Sequence, residues 1–80
     1  MYWLDDTSDR DPTTRRVRDF MMDSDADLAS LPRIGIPGVP QPDDTFVSLP
    51  VEKGSSAMSI KEGNLYFLNS NNEWQKPNGL

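Results

Sequence analysis

The chain has 80 residues, room for one small domain, and only 35% are hydrophobic, with seven prolines and five glycines interrupting the sequence. A domain this short buries only about 60% of the surface its unfolded chain exposes, so its own core leaves it marginal. Cysteine and histidine are absent, which removes disulfides and the common zinc, copper and iron sites and leaves assembly with a partner as the expected source of further stability.

The formal net charge of −5 argues against a nucleic-acid partner, which requires a basic stripe to neutralise phosphates, and is read as solubility. The opening Met1-Tyr2-Trp3-Leu4-Asp5-Asp6 runs straight into acid, so no secretory leader is expected. No apolar run approaches the roughly 20 residues of a membrane span, so no membrane partner is expected either.

Residues 1–16 read as a polar arm with an aromatic tip. Tyr2, Trp3 and Leu4 precede Asp5, Asp6, Asp9, Arg10, Asp11, Arg15 and Arg16, with Pro12 among them and no periodicity. Little structure is expected here in isolation. Trp and Tyr are favoured interface anchors, so the tip has two readings: it docks on a partner, or it folds back over the chain's own core.

Residues 17–32 read as a strand and a short helix. Val17, Phe20 and Met22, with Met21 between, suit a strand whose faces are not cleanly separated. Asp23 or Ser24 is the expected N-cap, and Ser24 with Asp27 has capping-box spacing. The acids suit the positive end of the helix dipole. Leu28 and Leu31 share one face, and Pro32 ends the helix.

Residues 33–50 carry Pro37, Pro40, Pro42 and Pro50 with Gly35 and Gly38, which favours an extended, polyproline-like course. Ile34, Ile36, Val39, Phe46, Val47 and Leu49 are too apolar for a solvated linker, so the loop is expected to lie against a surface. Pro37 and Pro40 have P-x-x-P spacing but no flanking basic residue.

Residues 51–80 read as a β-meander and tail. Met58 and Ile60 alternate with Ala57, Ser59 and Lys61, and Glu62-Gly63-Asn64 is turn chemistry. Leu65-Tyr66-Phe67-Leu68 is an aromatic-rich strand. After a second turn at Asn69–Asn72, Glu73–Lys76 makes a third strand that Pro77 ends. The expected fold is small α+β, mainly β: a short helix plus a three-stranded antiparallel meander, with residues 17–76 forming one domain. The expected core is Phe20, Leu28, Leu31, Tyr66, Phe67, Leu68 and Trp74. Tyr2, Trp3, Leu4, Ile34, Ile36, Val39 and Phe46 are the expected partner-binding residues.

Nothing in the chain composes a catalytic centre. Asp23, Asp25 and Asp27 open like an EF-hand loop, but the sixth and twelfth positions, which need Gly and a bidentate Glu, hold Leu28 and Ile34. The pairs Asp5/Asp6 and Asp43/Asp44 lack the rigid, desolvated pocket that separates two carboxyl pKa values. The serines have no histidine or cysteine partner, and no G-K-[S/T] follows Gly35 or Gly38. Arg10, Arg15, Arg16 and Arg18 form a basic cluster read as solvated surface, with an acidic groove on a partner as the other reading. No cofactor, metal or enzymatic activity is expected.

Taken together, Arg18-Asp19-Phe20, the helix Asp23-Ser24-Asp25-Ala26-Asp27-Leu28-Ala29-Ser30-Leu31-Pro32, Gly54–Ile60 and the ending Asn64-Leu65-Tyr66-Phe67-Leu68-Asn69-Ser70…Glu73-Trp74 resemble short proteins encoded in bacteriophage and prophage structural modules. The resemblance covers roughly residues 17–76. The loop from Arg33 to Pro50 looks longer than in that group, and the Tyr-Trp-Leu arm looks particular to this chain. The resemblance implies a non-catalytic virion protein made in the host cytoplasm: a head decoration, head–tail connector or fibre-anchoring subunit. Its implied partners are capsid, portal or fibre proteins, with a homo-oligomer in a symmetric assembly. The alternative is a small prophage-encoded regulator that binds and inhibits a host protein.

Overall fold

The computed structural model describes residues 1–42 and 49–77. Strands form where large apolar residues alternate with outward-facing ones: β1 (Tyr2–Leu4), β2 (Asp19–Met22), β3 (Ser56–Ser59), β4 (Leu65–Leu68) and β5 (Trp74–Gln75). They make one mixed five-stranded sheet whose spatial order is the chain order. Neighbours are antiparallel except β2 and β3, which are parallel. A parallel pair cannot be closed by a tight turn. The described parts of the connection, residues 23–42 and 49–55, fold back over one face of the sheet, and Leu31, Leu49 and Val51 from them enter the core.

The strands contribute every second residue to that core. Tyr2 and Leu4, Phe20 and Met22, Ala57, Tyr66 and Leu68, and Trp74 are buried on the inner face. Phe20 is edge-on to Tyr2 at 5.9 Å and to Trp74 at 6.2 Å between ring centroids, a geometry that adds about 0.5–1.5 kcal/mol per pair beyond area burial. The Trp74 indole donates to the Pro32 carbonyl at 3.1 Å and ties β5 to the crossover. Leu28 and Ile34 pack against the core from the edge.

The protein is thus mainly β with little helix, as the segment patterns predict, but several local expectations change. The predicted arm is structured: β1 pairs with β2, and the residues between them form a loop closed by the Asp5 amide donating to the Asp19 carbonyl at 2.8 Å. Short Asp turns hold that loop, with Thr7 donating to Asp5 and Thr13 to Asp11 through both amide and hydroxyl. Of the two readings of the aromatic tip, Tyr2 and Leu4 take the inward one.

Arg18 is a second correction. It was expected on a solvated surface with Arg10, Arg15 and Arg16, yet its accessible surface is 0%. Its guanidinium donates to the carbonyls of Pro50 (2.6 Å), Asp11 (2.6 Å), Thr14 (2.9 Å) and Asp9. A planar fork with five donors satisfies this many acceptors where an ammonium cannot. Burial pulls its pKa below the ordinary guanidinium value, an effect countered by Asp9 and, more weakly, Asp11. Arg15 and Arg16 stay at the surface, paired with Glu52 and with Asp9 and Asp11 respectively.

The helix is a six-residue 3-10 helix, Asp25–Ser30. Ser24 precedes it, and Asp27 accepts the Ser24 amide at 3.2 Å, the carboxylate half of a capping box. Leu31 is extended before Pro32, as a pre-proline residue prefers, and this leaves no room for a longer helix. The Pro-rich segment is not uniformly extended either. Arg33 and Ile36 exchange two backbone bonds of 2.9 Å around Gly35, whose φ of 75° only glycine adopts without cost. Gly38 matters for a different reason: a Cβ there would overlap the Tyr2 hydroxyl and lie 3.0 Å from both Pro32 Cδ and the Ser30 carbonyl.

Candidate docking surface

Because side chains alternate across a strand, burying Tyr2, Phe20, Ala57 and Tyr66 sends their neighbours to the opposite face. The register then aligns Trp3, Met21, Met58 and Leu65 in one transverse row, a residue from each of β1 to β4. At the usual strand spacing that row is about 14 Å long. The next row contains Asp19, Ser56, Phe67 and Gln75. On the other side the ladder runs one step further, with Asp23 donating to the Met1 carbonyl at 2.9 Å and Ile60 to that of Met22 at 2.8 Å. Met58 is 42%, Phe67 38% and Ile60 58% exposed, while Trp3, Met21 and Leu65 are half-buried.

Two open depressions adjoin this face at its β5 edge. One, of about 240 Å³, is lined by Phe67, Asn69, Gln75, Lys76 and Pro77. The other, of about 260 Å³, is lined by Gly63, Asn64, Leu65, Lys76 and Pro77. Lys76 lines both depressions at the β5 edge, and its charge reaches Asp25 on the inner side of the sheet. Asp5, just past the end of β1, is a hydrogen-bonded neighbour of Asp19 on β2 through the backbone.

The expected partner-binding residues do not come together. Tyr2 and Leu4 belong to the core, and only Trp3 reaches the outer face. Ile34 is half-buried, with its amide donating to Asn72 Oδ1 at 2.8 Å. Ile36 and Val39 are exposed in the crossover, and Phe46, with Asp43 and Asp44, lies outside the described residues. Of the expected core residues, Phe20, Leu31, Tyr66, Leu68 and Trp74 are buried and Leu28 is partly so. Phe67 is the correction: with Tyr66 and Leu68 inside, alternation turns it outward. Met21, Met58 and Leu65 were not singled out beforehand, and the same alternation was the signal that finds them.

The carboxylates of the EF-hand-like stretch diverge. Asp23 lies 3.4 Å from the Met1 ammonium, Asp25 accepts from Asn64 Nδ2 at 2.8 Å, and Asp27 lies 2.6 Å from the Met1 ammonium. Among the described residues, no group of three or more carboxylates is placed to hold a metal ion. The Asp25 carboxyl is held below its usual range, first by the Ser59 hydroxyl, against the opposing effect of burial, then by Asn64 and the Tyr66 phenol. Its Oδ1 makes no hydrogen bond of good geometry, so the two hydroxyls act as nearby dipoles rather than aligned donors. Burial and the Asp25 charge push the Tyr66 phenol up.

No helix among the described residues is long and apolar enough to cross a membrane. Comparison with family models, curated proteins and solved structures gives no match to this chain, so the docking reading rests on its outer face and not on kinship.

Proposed function

We propose that this protein is a non-catalytic bacteriophage virion structural subunit that docks on other virion proteins through the outer face of its sheet. The observation that carries the docking reading is the one-sidedness of the fold. The inner face is covered by Leu31, Leu49 and Val51 of the crossover, whereas the outer face presents Trp3, Met21, Met58 and Leu65 in a continuous row with Phe67 and Ile60 beside it. A sheet with one solvated face ordinarily alternates to polar residues there. The largest contiguous apolar patch on a small protein, of roughly 300–600 Å², is often functional, and Trp, Met and Phe are enriched in interface cores. The virion assignment is supported by the resemblance of residues 17–76 to short phage structural proteins.

Mass spectrometry of gradient-purified particles, with copy number measured against the major capsid protein, tests the assignment. Presence at a stoichiometry matching a ring or lattice supports it. Absence from particles, with abundance in infected cells, overturns it in favour of a regulator that binds a host protein. Met58→Asp with Phe67→Ser is expected to leave the fold intact and abolish incorporation.

A further inference from the structure

Resting on the outer face as the docking surface, we infer that its occupant is an amphipathic helical segment of a partner protein, with lysine or arginine along both borders of its apolar stripe. The outward positions of the sheet register carry the carboxylates of Asp19, Asp23 and Glu73 and no lysine or arginine. Asp19 and Asp23 lie two residues to either side of Met21, so one carboxylate stands about 7 Å from the apolar row on each flank. The Ser56 hydroxyl donates to Asp19 Oδ1 at 2.6 Å and keeps that carboxylate on the outer face. The Asp23 side chain is 60% exposed.

These acids differ from those of the loop between β1 and β2. There the charges are matched within the chain, Asp6 with Arg10 and both Asp9 and Asp11 with Arg16. Among the described residues, Asp19 and Glu73 have no cation within ion-pair distance. Asp23 shares the Met1 ammonium with the closer Asp27, at 3.4 Å against 2.6 Å. A second copy brings the same acids against this face in a chain that already carries −5, and like charges across a contact cost affinity. Phosphates of nucleic acid or anionic lipid are repelled in the same way. A cationic protein segment is the occupant whose charges complement the face.

The dimensions select a short helix. The apolar row of about 14 Å equals the length of roughly ten helical residues. A helix laid along it sets its apolar stripe on Trp3, Met21, Met58 and Leu65. With side chains, its radius of about 5–6 Å carries the stripe's two borders over Asp19 and Asp23. Met21 and Met58 adapt to differently shaped anchors. Four strands by three rows, with Ile60 and Phe67 in the outer rows, cover roughly 300 Å². A stable contact between folded partners needs about 800 Å² on each side, so this face suits a segment held weakly, with a Kd on the order of 100 μM. Many copies in one assembly would multiply that affinity.

Three synthetic helical peptides serve as probes: a leucine stripe with lysine borders, the same stripe with glutamate borders, and lysine borders around an alanine stripe. Each is titrated into the full chain and read by tryptophan fluorescence, with Trp3 on the outer face as the reporter and Trp74 buried on the inner one. The first peptide is expected to bind about tenfold more tightly than either of the others. Asp19→Asn with Asp23→Asn keeps the side-chain shapes and an acceptor for Ser56, and is expected to weaken that binding about fivefold, as is Phe67→Ser. A lysine-bordered peptide that does not bind below about 1 mM, or that binds no tighter than the glutamate-bordered one, overturns the inference. So does a chain that sediments as a dimer dispersed by Phe67→Ser, which gives the face to a second copy. If the inference fails while Met58→Asp with Phe67→Ser still abolishes incorporation into particles, the docking reading stands with another occupant. Selective binding by a chain absent from particles supports the inference and removes the virion assignment.

Discussion

The contact between Gly38 and Tyr2 allows a sharp test of how the crossover is held on the sheet. Gly38→Ala adds one carbon where the Tyr2 hydroxyl already sits, with Pro32 Cδ and the Ser30 carbonyl each 3.0 Å away. The Tyr2 ring is buried and its hydroxyl donates to the Val39 carbonyl at 3.0 Å, so it cannot step aside freely. Overpacking of this kind costs about 1–3 kcal/mol, and the backbone neighbours argue for the upper half of that range. Tyr2→Phe removes the clashing oxygen. Alone it is expected to cost about 1 kcal/mol, because the Val39 carbonyl still accepts from Gln41 Nε2 at 3.1 Å. In the double variant the added methyl meets only the two milder contacts, so the two changes should couple favourably by about 1–2 kcal/mol. Urea unfolding of the four proteins measures the cycle, and Gly38→Ala alone should lower Tm by roughly 10–20 °C. Strict additivity, within about 0.5 kcal/mol, would refute the packing argument.

Arg18→Met should destabilise by about 2–4 kcal/mol, and Arg18→Lys should recover only part of it. Limited proteolysis should then cut first within residues 5–18, and a wild-type cleavage pattern would show that the guanidinium does not organise that loop. Phe20→Ala should cost about 3–5 kcal/mol while Phe67→Ser changes stability by less than about 1 kcal/mol; comparable losses would mean that the sheet faces are wrongly assigned. Asp25, Asp5, Asp11 and Glu52 all have carboxyl pKa values lowered in the folded state. Their contribution is therefore fully present above the unfolded values near pH 4 and is lost as pH falls through the folded ones. Tm should hold from about pH 7 to about 5 and fall below about 4, and Asp25→Asn should flatten that fall.

The sequence disclosed what depends on neighbours in the chain. Leu65–Leu68 was readable as a strand from its aromatic and aliphatic run, and the helix limits from Ser24 and Pro32. Burial of Tyr66 and Trp74 followed from strand composition. Phe67 was misplaced because composition outweighed alternation: once Tyr66 and Leu68 point inward, the residue between them cannot. Arg18 was not legible, since its burial depends on an irregular loop that turns the carbonyls of Asp9, Asp11 and Thr14 toward it and on the Pro50 carbonyl, 32 residues away in the chain. The pairing of β1 was hidden for the same reason. Its outer amide at Tyr2 donates to Gln41 Oε1 at 3.1 Å, across 39 residues, and no local pattern announces such a contact. The docking row was hidden in another way, because its four residues come from four strands and become neighbours only through the register.

The parallel β2–β3 pair also governs how the molecule reaches its native state. On either side of that seam lie antiparallel partners separated by modest stretches of chain, whereas the seam itself joins Phe20 to Ala57 and requires the whole crossover to be closed. Loop-closure entropy must be met before any contact across it contributes. Closing the seam is thus the expected rate-limiting event, with the β3–β5 side assembled first and the N-terminal strands added last. Substitutions such as Ala57→Gly should slow refolding, whereas changes at β1 should chiefly quicken unfolding. On a ribosome the order of synthesis is the reverse of this order of assembly, so β2 waits without its β3 partner until Ser56–Ser59 has emerged.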